Sequence, residues 1–193
     1  MNHLRIKFLL LASGLVFLLG CKSPQTSKEA VVPIEAKAIQ SDWLYWRGPA
    51  GTGVSEQTAL PSDFNGSLLW THDIQGGGVP VIAGGRAYQF GYYGVEDDLQ
   101  EALVCFNAKN GEVIWDRRHS DFISDIVYNR YGVGAACVDP ATGNVFFQTS
   151  PGLLIGYDPD GNKLWERSLM EEFARLTFPN GRTGGPCIDE NLV

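Results

Sequence analysis

Histidine and clustered positive charge are the two things this sequence most plainly lacks. Its three histidines, His3, His72 and His119, stand far apart, so no zinc-ligating spacing exists. Fifteen Lys and Arg against 22 Asp and Glu leave a formal net charge of −7, and no basic cluster follows the first residues. Nucleic acid is thereby excluded as a partner class, because phosphate binding requires such clusters. Phosphate loops are missing as well. Gly48-Pro49-Ala50-Gly51-Thr52-Gly53 and Gly181-Arg182-Thr183 lack the required Lys and its spacing, and both read as turns. Nor is there an acid/base couple: Glu171 and Glu172 are neighbours on an expected short helix, while Asp97 and Asp98 share a polar loop. These absences leave no catalytic, cofactor-binding or metal-ligating residue to nominate.

What is present points to a folded, exported protein. Hydrophobic residues make up 44% of the chain and charged ones 19%, a balance that sustains a core. Twenty-three Gly and ten Pro without a collagen-like period call for many tight turns between short strands, hence an all-β architecture. At the N-terminus, Arg5 and Lys7 precede an apolar run from Phe8 to Leu19, broken only by Ser13 and Gly14. The run is short for a bilayer span and reads as an export signal. It ends in Leu18-Leu19-Gly20-Cys21, which resembles the bacterial lipobox. That resemblance implies a lipid on Cys21 as the first mature residue, and Lys22 after it implies outer-membrane sorting. Several acyl chains on one terminus hold a protein to a membrane without any spanning helix. Residues 22–40 are mostly polar or small and carry no aromatic side chain, which suits a tether. The expected division is a signal peptide over 1–20, a flexible tether over 21–40 and a folded domain over 41–193. Cys105, Cys137 and Cys187 remain, an odd number, each in an apolar β context where a buried thiol acts as a small hydrophobe.

An internal repeat organises the rest. Gly66-Ser67-Leu68-Leu69-Trp70, Gly111-Glu112-Val113-Ile114-Trp115 and Gly161-Asn162-Lys163-Leu164-Trp165 each place Trp four residues after Gly. Ahead of the last two lie apolar runs that end in Asn110-Gly111 and Asp160-Gly161, strong hairpin turns. Further upstream, Gly84 to Phe90 matches Thr142 to Gln148, and Gly78 to Ile82 matches Gly134 to Val138 and Gly185 to Asp189. Each unit therefore holds four short strands, about 80 to 117 and about 133 to 169, the anatomy of a propeller blade. By simple alternation Val113 and Trp115 share one face of the outer strand, and the tryptophans are expected to wedge between blades.

The repeat resembles the tryptophan-docking motif of pyrroloquinoline-quinone (PQQ) type β-propellers. The leader Trp43-Leu44-Tyr45-Trp46-Arg47-Gly48-Pro49-Ala50-Gly51-Thr52-Gly53-Val54-Ser55 resembles that of PQQ-like proteins related to the lipoprotein BamB. The resemblance implies a β-propeller of four-stranded antiparallel blades. Propellers carry about 4 to 8 blades; about two and a half are expected here, so the chain reads as the N-terminal part of a longer ring. The implied function is a non-catalytic binding or assembly scaffold, lipid-anchored in the cell envelope, facing the periplasm, with membrane and envelope proteins as partners and no cofactor. The same repeat also builds PQQ-dependent dehydrogenases, which resemble one another in a vicinal cysteine pair and in Glu, Asn and Asp ligands to calcium; none of the cysteines here are adjacent, and the alternative reading is such an enzyme, with PQQ as its cofactor, whose active-site blades are missing from this chain. Two long insertions, Arg118 to Gly132 and Met170 to Gly184, carry the aromatic and Arg side chains expected to meet a partner: Phe122, Tyr128, Arg130, Tyr131, Phe178 and Arg182.

Overall fold

The computed structural model describes residues 42–55, 68–120, 131–173 and 184–193. The expected signal, Cys21 and tether, as well as Gly66, Phe122, Tyr128, Arg130, Phe178 and Arg182, lie outside the described residues. Eight strands follow one another: β1 (Val81–Ala83), β2 (Arg86–Tyr93), β3 (Gln100–Asn107), β4 (Val113–His119), β5 (Cys137–Val138), β6 (Val145–Gln148), β7 (Leu153–Tyr157) and β8 (Lys163–Ser168). They form two antiparallel four-stranded meanders, β1-β2-β3-β4 and β5-β6-β7-β8. These are the blades of a β-propeller.

Middle strands in such a blade are covered on both faces, so they need no polar alternation. Accordingly Leu103, Val104, Cys105 and Phe106 are all buried in β3. The outer strands instead carry charge, Asp116-Arg117-Arg118 in β4 and Glu166-Arg167 in β8, which discourages pairing along an exposed edge. One core fills the seam between the blades, with Tyr88, Phe90 and Leu103 meeting Val145, Phe147 and Ile155. A second lies on the other flank of blade one, where Val104 and Phe106 receive Trp70 and Ile74.

Both outer strands are bulged. Cys105 pairs with Trp115 but Phe106 pairs with Val113, leaving Ile114 as the extra residue. Gly156 pairs with Trp165 and Tyr157 with Lys163, which makes Leu164 its counterpart. A bulge sets two residues against one. Val113 and Trp115 therefore take opposite faces, contrary to simple alternation, and Trp115 is turned into the seam while Val113 is exposed. The third unit also departs from the sequence frame. Asp189 and Leu192 exchange backbone bonds of 3.0 and 2.9 Å, a two-residue turn like that between Ala83 and Arg86. A Cβ on Gly134 would lie 2.6 Å from the Gly184 oxygen, just as one on Gly78 would lie 2.8 Å from the Gly134 oxygen. Gly184, not Gly185, is thus the structural counterpart; pattern alone cannot choose between adjacent glycines.

The helix α1 (Leu169–Phe173) follows β8 directly, and Ser168 Oγ accepts the Glu171 N–H at 3.2 Å, the expected cap. No helix among the described residues is long and apolar enough to cross a membrane.

Candidate functional site

The seam between the blades gathers most of the unusual side chains, and it is built from the outer-strand tryptophans. At the turn closing β7 and β8, Asp158 Oδ1 accepts the Asn162 N–H at 2.8 Å, and Gly161 takes φ of +77°, a conformation that suits only glycine well. Trp115 of the preceding blade lies flat on that glycine: a Cβ on Gly161 would approach the indole Cγ to 2.8 Å. Its Nε1–H donates to the Pro159 oxygen at 2.9 Å. Arg117 donates from Nε to the Gly161 oxygen at 2.7 Å, and its guanidinium lies 5.5 Å over the indole. The buried Arg86 also donates to the Pro159 oxygen and stands 3.9 Å from Asp160.

Trp70 repeats the arrangement one blade earlier. Its Nε1–H donates to the Ala108 oxygen at 3.0 Å, and a Cβ on Gly111 would meet the indole at 2.6 Å. Ala108 and Pro159 occupy matching places in the two turns, although the second turn is one residue shorter. Trp165 is half-buried and stacks on Phe146 with ring centroids 5.6 Å apart. Among the described residues no third turn stands opposite it.

The other end of the seam holds a buried carboxylate. Glu101, on β3, is 4% exposed. It accepts the Gly132 N–H at 3.0 Å and the Ser150 N–H at 2.7 Å, together with the Ser150 hydroxyl. A side chain of blade one thereby caps the β6–β7 turn of blade two. Close by, Tyr157 OH and His119 Nε2 are 3.2 Å apart, and His119 faces Phe147 at 5.5 Å. Tyr131, expected in a partner loop, is buried and packs edge-on to Tyr92 at 5.8 Å. Sequence reasoning missed Glu101, Arg86 and Arg117. Only Arg117 had a usable signal, its place two residues after the repeat Trp.

Chemically, these side chains of blade one bind the backbone of blade two across the seam. No group of three or more His, Cys, Asp or Glu among the described residues is placed to hold a metal. Cys105 and Cys137 are buried, and burial pushes both thiols up to about 12, which holds them as unreactive thiols. Cys187, expected to be buried, is exposed. A thiol reagent at neutral pH should therefore label Cys187 in the native protein and spare Cys105 and Cys137. Mass spectrometry of the labelled peptides checks this, and equal labelling of Cys105 would contradict the seam.

Residues 55–192 match the family model described as outer membrane protein assembly factor BamB. No curated protein matches the chain. Among solved structures, a quinohemoprotein alcohol dehydrogenase from Comamonas testosteroni is 18% identical with a TM-score of 0.51, over 70% of this chain and 21% of that one. The chain thus spans about a fifth of that enzyme's length, and the likeness supports the fold alone. A europium-containing methanol dehydrogenase is 15% identical, with a TM-score of 0.34 over 66% of this chain and 32% of that one. BamB from Moraxella catarrhalis is 16% identical, with a TM-score of 0.15 over 49% of this chain and 50% of that one.

Proposed function

This chain belongs to the outer membrane protein assembly factor BamB family, and on that ground we propose that it is a non-catalytic binding or assembly scaffold of the cell envelope. The family match carries the reading. The way the seam uses its polar groups supports it: Trp115, Arg86, Arg117 and Glu101 are each engaged with backbone of the next blade. Such a surface gives rigidity to a platform. In this reading Cys21 carries the lipid, residues 21–40 tether the domain, and the outer membrane, on its periplasmic side, is the place of work. Its partners are envelope or outer-membrane proteins, met by the loops around 118–132 and 170–184.

The test joins anchor and role. Cells given labelled palmitate should transfer label to the wild type and not to Cys21→Ala, and detergent but not salt should release the wild-type protein. Loss of the gene should lower the amount of folded outer-membrane β-barrel protein. Label retained on Cys21→Ala would refute the anchor. Oxidation of alcohols by the purified full chain, supplied with PQQ, calcium and a dye acceptor, would refute the non-catalytic reading.

A further inference from the structure

The innermost strand of a blade has one edge with no strand beside it, and its unpaired N–H and C=O groups are a liability unless something meets them. In this chain residues 42–44 meet part of that edge on both blades. Gly84, in the β1–β2 turn, donates its N–H to Asp42 Oδ2. Ile82 of β1 donates to the Trp43 oxygen at 2.8 Å, and Val138 of β5 donates to the Leu44 oxygen at 3.1 Å. Three consecutive residues thus serve two different sheets. Leu44 is 4% exposed and belongs to the core between the blades, with Tyr45 packed against that core.

The residues that follow close on themselves. Gly48 donates to the Tyr45 oxygen at 2.9 Å, Gly51 to the Gly48 oxygen at 3.0 Å and Gly53 to the Arg47 oxygen at 2.7 Å, while Arg47 reaches the Thr52 oxygen at 3.2 Å. Gly48 lies against the Trp43 ring, where a Cβ would come within 2.9 Å of it. The segment therefore has its own internal bonds, and residues 42–45 carry the contacts with the blades described above.

We propose that residues 42–53 form an inner-edge strap, a separate element that lies across the inner edges of both blades and holds them in order. It acts at the inner edge as Trp115 acts at the outer one. Because the strap accepts hydrogen bonds from Ile82 and Val138, it occupies two donors of the inner edges that would otherwise be unpaired.

Hydrogen exchange on the full chain tests this. Leu44→Asp puts a charge into the core contact and should release the strap. Amides of Ile82 and Val138 should then exchange about tenfold faster or more, while the β2–β3 ladder keeps its rates. Asp42→Ala leaves the core untouched and should accelerate Gly84 alone, so it carries the test if Leu44→Asp unfolds the protein. Unchanged rates at Ile82 and Val138 in a folded Leu44→Asp protein would overturn the proposal. So would an unchanged Gly84, or faster exchange throughout blade one, in Asp42→Ala.

Discussion

Replacing Trp115 by Ala should cost about 3–5 kcal/mol of stability, the range for removing a large buried aromatic side chain. The loss has three parts. The indole is 6% exposed and fills the seam between Tyr88 and Tyr157, at centroid distances of 5.7 and 5.9 Å. Its truncation also strips a donor from the Pro159 oxygen and removes the face on which Arg117 rests. Urea unfolding of the Trp115→Ala variant checks the cost, and a stability equal to that of the wild type would count against the docking account.

Glu101→Ala should be nearly as damaging, also about 3–5 kcal/mol. It leaves the N–H groups of Gly132 and Ser150 without their acceptor in a buried place, and hydrogen bonds to a charged group are worth about 1.5–3 kcal/mol each. Ser150→Ala removes only the hydroxyl bond and should cost about 1 kcal/mol. Glu101→Gln should fall between, because an amide presents one oxygen where the carboxylate presents two, and its NH₂ then faces another donor. Thermal melts in one buffer order the three variants. A Glu101→Ala protein as stable as the wild type would mean the carboxylate does not clasp the second blade.

The contrast between these two residues shows what a sequence of this kind reveals. Trp70, Trp115 and Trp165 are legible because the signal is local: a turn glycine followed four residues later by Trp, repeated. The four-strand blade follows from the same spacing and from hairpin chemistry, and the structure has both sheets in that order. Glu101 is illegible for the opposite reason. In Gln100-Glu101-Ala102 it reads as a solvent-facing strand residue, and its partner Ser150 lies 49 positions away. Arg86 follows Gly84-Gly85 and looks like a surface charge after a turn, yet it is buried against Pro159, 73 positions on. The bulges at Ile114 and Leu164 shift side-chain direction without any change in composition, so alternation misplaces Val113. The contacts that Glu101 and Arg86 make between blades are set by packing of distant segments, which no local pattern encodes.

The docking of a tryptophan on the glycine of the next turn is the centre of this account, and a double-mutant cycle between Trp115→Ala and Gly161→Ala measures it directly. Alone, Gly161→Ala should suffer twice, from positive φ, which costs about 1–2 kcal/mol for a side-chain-bearing residue, and from a methyl driven into the indole at 2.8 Å. With Ala at position 115 there is no indole to strike, and what remains is the backbone penalty and a contact with Arg117 Nη2, also at 2.8 Å, which that flexible side chain can relieve. The account predicts that the double variant is more stable than the sum of the singles by about 1 kcal/mol or more. Costs that add to within about 0.3–0.5 kcal/mol, as for residues that do not touch, would contradict it.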